Sequence, residues 1–366
     1  HLNIGQPDIP TPPAFFDAVH SYRSEVLAYA PSPGVPAYVA AIQNYYQRIG
    51  APLAEGDILA TTGGSEALQM AMSCILDEGD EILIPEPFYT NYNTFVHVAG
   101  GHIRPIHSSP EEGYHYAERS RIEPLITERT RAILVTNPGN PTGTVLTPEE
   151  MNVIADIAKE HGLFLVADEV YREFVYGGEP LSTFLTIPGL EENLIVVDSV
   201  SKRFSACGAR VGTLISRNPE FIAQAMKLCQ GRLCSATLDQ LGAAALYSVD
   251  PDYFTATRDE YRRRRNACVE GLHKIPGVVC GEPKGAFYLM AKLPVDDADK
   301  FQTWLLEEFE DQGETLMFAP GEGFYATPGK GKDEIRIAYV LNEADIRRSM
   351  ELLGIAIARY QKEKMA

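Results

Sequence analysis

The chain has 366 residues, enough for two domains or for one large domain with a smaller companion. Its make-up, 45% hydrophobic and 22% charged, is globular and excludes a disordered, collagen-like or low-complexity chain. Lys and Arg total 32 against 50 Asp and Glu, a net charge of −18, which repels phosphate backbones and anionic lipid and argues against nucleic acid or a membrane surface as partner.

The chain opens in a strand-like stretch, HLNIGQPDIP, with no signal peptide before it, so an N-terminal piece is expected to be missing. No apolar run reaches the roughly 18 residues of a membrane helix. Six cysteines, Cys74, Cys207, Cys229, Cys234, Cys268 and Cys280, form no CxxC pair and no zinc spacing with histidine. Reduced thiols in a cytoplasmic protein, with no metal, are the expectation.

Short apolar runs at 57–61, 81–84, 131–136, 163–167, 194–198 and 211–215 read as strands covered on both faces. Helices fall between many of them. One starts near Ser65 and carries Leu68, Met72, Ile75 and Leu76 on one face. Another starts at Thr147, where Pro148 suits the first turn and Glu150 completes a capping box, and it ends near His161 before Gly162. Alternating strands and helices predict a mostly parallel sheet flanked by helices. Past residue 250 the texture changes to a long helix over 251–273, a GAFYLMAKL segment, a helix over 298–311, a strand EIRIAYV and a last helix over 343–362. The basic run 262–265 reads as a solvated or ion-paired helix face. The expected partition is a large domain over 13–270 and a smaller α+β domain from 1–12 and 271–366.

In open parallel sheets, ligands gather beyond the carboxyl ends of the strands. The residues following four of these runs are Thr62-Gly63-Gly64-Ser65-Glu66, Asn137-Pro138-Gly139-Asn140-Pro141-Thr142-Gly143, Asp168-Glu169-Val170-Tyr171 and Ser199-Val200-Ser201-Lys202, the last leading to Arg210-Val211-Gly212. Each admits a bland reading: a glycine turn, a helix cap at Asp168, a half-buried aromatic at Tyr171, a surface lysine at Lys202. Together they point to chemistry. Free N–H groups at a helix start favour a phosphate, and Arg210 can clamp it. Asp168 can hold a ring nitrogen protonated, and Tyr171 can reach a phenolic oxygen of the same ring. Lys202, desolvated beside cations, can form a Schiff base with an aldehyde.

The sequence resembles the class I/II pyridoxal-phosphate-dependent aminotransferases of fold type I, and within them the aspartate aminotransferase subgroup. The resemblance rests on the S-x-x-K…R-x-G pattern at 199–212, NPxNPTG at 137–143 and DExY at 168–171, and it runs from Asn3 to about Leu353. It implies pyridoxal 5′-phosphate as cofactor, with Lys202 as the aldehyde-linked lysine and proton carrier. It further implies Asp168 on the ring nitrogen, Asn140 and Tyr171 on the ring oxygen, and Gly64, Ser65, Glu66, Ser199 and Arg210 at the phosphate. By the same resemblance Tyr89 stacks on the ring, and Tyr29 reaches the phosphate of a partner subunit in a homodimer. Arg336 takes the substrate α-carboxylate, with Gly5 closing over it and Asn140 beside it.

The donor is less legible. Ungapped counting from Gly242 places Arg232 near the position from which the dicarboxylate-specific branch sends a partner-subunit arginine to the side-chain carboxylate; a helix-end arginine capping carbonyls is the competing reading. The expectation is aspartate as donor and 2-oxoglutarate as acceptor, by a ping-pong reaction. Alternatives are an aminotransferase for aromatic or other neutral amino acids, a C–S lyase on the same scaffold, and a non-catalytic ligand-binding module. A dinucleotide-binding dehydrogenase is disfavoured, because Gly63-Gly64 does not extend to G-x-G-x-x-G.

Overall fold

A computed structural model of the chain describes residues 1–176, 178 and 181–365. Ala366, the last residue of the expected smaller domain, lies outside them. The first half runs α1 (Pro13–His20), α2 (Pro36–Arg48), β1 (Ile58–Thr61), α3 (Gly63–Ile75), β2 (Glu81–Pro85), α4 (Tyr92–Val98), β3 (His102–Ile106), α5 (Arg119–Ile122), β4 (Thr130–Thr136), α6 (Pro148–Glu160) and β5 (Phe164–Asp168). It continues with β6 (Leu194–Ser199), α7 (Val200–Arg203), β7 (Gly212–Ile215), α8 (Pro219–Gly231), α9 (Thr237–Leu246) and α10 (Asp252–Leu272). The remainder is β8 (Tyr288–Lys292), α11 (Ala298–Glu307), β9 (Ala319–Pro320), β10 (Glu334–Ala338) and α12 (Glu343–Lys364).

A seven-stranded sheet has the order β1-β7-β6-β5-β4-β2-β3. The pairings from β6 through β3 are parallel, whereas β7 runs antiparallel to both β6 and β1. This is a mostly parallel α/β sheet with one reversed strand inside it, as the resemblance to fold type I implies. The reversal matters for the site. The start of β7, not its end, lies on the side where the parallel strands finish.

Alternation along the strands sets the two layers. In β6, Leu194 and Val196 join the core that includes α2, α6 and α9, while Ile195 and Val197 join the core of α3, α4 and α8. A third core gathers around a three-stranded sheet, β8-β10-β9, with α10, α11 and α12. The capping box of α6 forms as its sequence indicates, with Thr147 Oγ1 accepting from Glu150 N and Glu150 Oε2 from Thr147 N.

Several expectations are corrected. The opening stretch is not a strand. It is extended chain held at Leu2, whose N–H donates to Met317 O and whose carbonyl accepts from Ala338 N. Strand β3 (HIRPI) lies at the sheet edge, where proline and polar residues are tolerated, so it lacks the apolar run of its neighbours. The helix expected over 298–311 ends at Glu307. The basic run divides. Arg262 and Arg263 pair with Asp259 and Glu260 on the surface, but Arg264 and Arg265 are buried, the first on Asp8 and Val340 O and the second on Glu282 and Pro283 O.

Candidate active site

A cavity of about 420 Å³ opens beyond the carboxyl ends of β4, β5 and β6. Asn140 follows β4, Asp168 closes β5, and Ser199 ends β6 with Lys202 one short turn on. Arg210 precedes β7 and reaches the cavity because that strand is reversed. From the opposite side come Gly64 and Ser65 of α3, Tyr89, the opening segment through Gly5, and Tyr288 and Arg336 of the small sheet.

Asp168 is 5% exposed; its Oδ2 accepts from Tyr92 Oη at 2.7 Å and its Oδ1 from Val170 N at 3.4 Å. Among the described residues no ion pair reaches it. Burial pushes its carboxyl up to about 6, against the pull of the Tyr92 bond.

Lys202 Nζ donates to Gly5 O at 2.9 Å, so the lysine points into the cavity and not along its helix. Ser199 caps the turn that carries it, accepting from Ser201 N at 3.1 Å and donating to Val211 O at 3.0 Å. Arg210 sits at φ +52° with Nη1 on Cys207 O at 3.0 Å. Its guanidinium lies so close to Gly63 that a Cβ there would stand 2.4 Å from Nη2. Gly63 has φ +75°, and a Cβ on Gly212 would meet Gly63 C at 2.4 Å. These two glycines therefore bring the start of α3 against the Arg210 segment.

Arg336, 8% exposed, donates through Nη1 to Asn140 Oδ1 at 3.2 Å and through Nη2 to Asn3 O at 2.7 Å. Its guanidinium lies 4.6 Å from the Tyr288 ring centre and 4.9 Å from that of Phe324. Its Nε is buried without a partner among the described residues. Tyr171 Oη and Tyr288 Oη are 3.0 Å apart, and burial holds the Tyr171 phenol well above its ordinary value. A Cβ on Gly5 would fall 1.7 Å from Tyr288 Oη, so only glycine fits there. Tyr89 meets Tyr92 edge-on at 5.5 Å and accepts from Asn91 Nδ2 at 2.8 Å.

Glu66 stands outside the cavity, and Arg232 and Tyr29, expected at a partner's site, lie outside that of their own chain. The side chain of Glu66 turns away from the cavity to accept from Thr62 N at 2.6 Å and to pair with Arg232 at 3.0 Å. A carboxylate in the first turn of α3 answers its own helix start before any ligand. Arg232, at the end of α8, is committed within its own chain, to Glu66 and to Ala60 O at 2.6 Å. Its Nη1 has no partner among the described residues, and it lies outside the cavity of its own chain. Tyr29 is 79% exposed, outside the cavity of its own chain.

Comparison with known proteins decides the family. The family described as aminotransferase class I and II matches residues 1–353. The chain belongs to the class I and II aminotransferase family. An aspartate aminotransferase of Bacillus subtilis is 31% identical over 99% of this chain and 90% of its own. An aspartate/prephenate aminotransferase of Thermus thermophilus is 29% identical over 98% and 91%. A mutant Thermus thermophilus aspartate aminotransferase superposes with a TM-score of 0.88 at 28% identity, covering 97% of this chain and 91% of that one. An aromatic aminotransferase from Pyrococcus horikoshii gives 0.88 at 28%, covering 99% and 95%.

As a class I and II aminotransferase, the protein is a pyridoxal-phosphate-dependent transaminase. The donor set fits that cofactor. Asp168, buried and without a cation, matches a protonated ring nitrogen. The α3 start beside the exposed Arg210 matches a phosphate. Sequence reasoning missed Tyr92, which orients Asp168, and Tyr288, which bridges Tyr171, Gly5 and Arg336. Tyr92 opens α4 three residues beyond Tyr89, and that closeness to an expected ring-stacking residue was the available signal. Nothing in the sequence marks the Asn3 carbonyl as an acceptor for Arg336.

Proposed function

We propose that the enzyme transfers the amino group of L-aspartate to 2-oxoglutarate. The single observation that carries the reaction is that Lys202, Asp168 and Arg336 open on one cavity. Aspartate as donor draws support from relatives named aspartate aminotransferase at 31% and 32% identity.

In this reading Gly64 and Ser65 N–H groups, Ser199 and Arg210 hold the cofactor phosphate. Asn140 and Tyr171 hold its ring oxygen, and Tyr89 covers its face. Asp168 keeps the ring nitrogen protonated. Bound there, pyridoxal phosphate supplies an aldehyde that takes up the amino group and a cationic ring that withdraws electrons. Arg336 grips the substrate α-carboxylate with its fork, and Asn140 and Gly5 close around it. Lys202 Nζ, as a free amine, would remove the Cα proton and hold it as the proton carrier of the site. The guanidinium of Arg336, held between two rings, orients Cα toward Lys202.

We further propose a homodimer in which Tyr29 enters the partner's site. Its exposure, with that of Val26 at 68% and Leu27 at 59% in the same stretch, supports a covered surface. The unbridged cysteines support a cytoplasmic setting, and among the described residues no helix is long and apolar enough to cross a membrane.

A second reading, an aromatic or other neutral donor, is favoured by the pairing of Arg232 with Glu66 and by the apolar cavity residues Ile4, Leu68 and Val170. The absorbance spectrum of the purified protein decides between them. Bleaching of the cofactor band by L-aspartate and its return with 2-oxoglutarate support the first. Bleaching only by neutral or aromatic amino acids supports the second.

A further inference from the structure

Four charged side chains that the reaction does not use lie in one buried cluster beneath the cavity. Glu169, Arg172, Asp198 and Arg203 are 1%, 1%, 0% and 1% exposed, and none lines the cavity. Arg172 pairs with Glu169 through Nη1 and with Asp198 Oδ2 through Nη2 at 2.8 Å. Arg203 Nη2 spans both Asp198 oxygens, at 2.9 and 2.8 Å. Two aromatic neighbours on α2 complete the cage: Tyr46 Oη donates to Asp198 Oδ2 at 2.9 Å, and the Arg203 guanidinium lies 4.3 Å from the Tyr45 ring centre. The other Glu169 oxygen is held by Thr183 Oγ1 at 3.1 Å and Phe184 N at 2.9 Å.

Buried ion clusters are poor stabilisers, because desolvation offsets much of their attraction and well-packed apolar residues often do as well. In some proteins such clusters serve to fix one geometry. Here each member is the sequence neighbour of a cavity residue: Glu169 of Asp168, Arg172 of Tyr171, Asp198 of Ser199, Arg203 of Lys202. Adjacent side chains leave the backbone in different directions, so a clamp on one aims the other. The four side chains carry two positive and two negative charges, so the clamp places no net charge under the site.

We propose that this cluster is a positioning element for the reaction, locking the segment after β5 to the β6–α7 turn so that Asp168 and Lys202 face the cavity at a fixed spacing. The proposal rests on the roles given above to Asp168 and Lys202. The test compares wild type with Glu169→Gln/Arg172→Met, which removes one matched pair and leaves Asp198 with Arg203. Expected are a kcat at least tenfold lower, a KM for the amino donor within twofold, and amide hydrogen exchange at least fivefold faster over 168–173 and 199–204 in the cofactor-free protein. Wild-type kcat with unchanged exchange in those segments overturns the proposal. So does a parallel loss of protection along the whole chain with full activity per folded molecule. Should the double variant not fold, Arg172→Lys keeps the charge but cannot span Glu169 and Asp198; assayed well below its Tm, it is expected to lower kcat with KM within twofold, and wild-type kcat overturns the proposal. A wild-type protein that no amino acid bleaches defeats the roles of Asp168 and Lys202 instead, while hydrogen exchange still reads the clamp.

Discussion

Asp168 and Asp198 stand near the ends of neighbouring strands, 5% and 0% exposed, in opposite surroundings. Burial works against the charge on both. Around Asp198 the guanidiniums of Arg203 and Arg172 outweigh it and hold the carboxyl below its usual range. Around Asp168 no cation among the described residues answers, and burial leaves the carboxyl raised to about 6. The same contrast extends to the arginines. Arg172 and Arg203 pair with the carboxylates of Glu169 and Asp198, whereas Arg336 has no ion pair among the described residues and contacts only the neutral Asn140 Oδ1 and Asn3 O through hydrogen bonds. The comparison teaches where a ligand belongs. The floor completes its own charge pairs, and the cavity leaves its charges for something that must enter.

Breaking the cavity side should produce the largest effects. Lys202→Ala removes the proton carrier, and kcat is expected to fall by at least about a thousandfold. Cofactor is retained without covalent attachment, which the absorbance band of the dialysed variant checks; turnover near wild type would contradict the assignment. Arg336→Lys keeps the charge but loses the fork. It should lower kcat/KM about tenfold to a hundredfold for every amino donor, read in parallel assays with aspartate and an aromatic amino acid.

Arg232→Ala sharpens the comparison from the paired side. Its partner Glu66 caps α3 and does not face the cavity, so the expected cost is about 1 kcal/mol of stability, seen as a lower Tm. The ratio of activity on aspartate to activity on an aromatic donor should not move. A loss confined to aspartate would return Arg232 to the role that ungapped counting suggests.

Much of this contrast was legible beforehand, and the part that was not has a physical cause. Strand-end residues are readable because a parallel sheet fixes where chains finish, which is how Asn140, Asp168, Ser199 and Lys202 fall in one place. The reversal of β7 was not, since the run 211–215 looks the same in either direction. Edge strand β3 hid behind its proline. The floor was invisible because Glu169, Arg172, Asp198 and Arg203 are charged residues that composition assigns to the surface; only the tertiary fold brings their charges together. Arg232 is hard to read for the opposite reason. Counting along a sequence says where a residue lies and not whether a nearby carboxylate, here Glu66, has already claimed it.

The most direct test of the account is the melting temperature of wild type and Asp168→Asn, each with and without pyridoxal phosphate, at pH 7 and pH 4. A carboxyl raised from 3.8 to about 6 binds protons more readily in the folded state, so folding is penalised as pH rises through that window and the penalty vanishes below it. Without cofactor at pH 7, Asp168→Asn should therefore melt higher than wild type. Its gain is up to about 3 kcal/mol, at roughly 1.4 kcal/mol for each tenfold change in proton affinity, and it should fade by pH 4. With cofactor at pH 7 the order should reverse, because the ring nitrogen then supplies the missing cation. The same order with and without cofactor would contradict the claim that Asp168 is left unpaired for it.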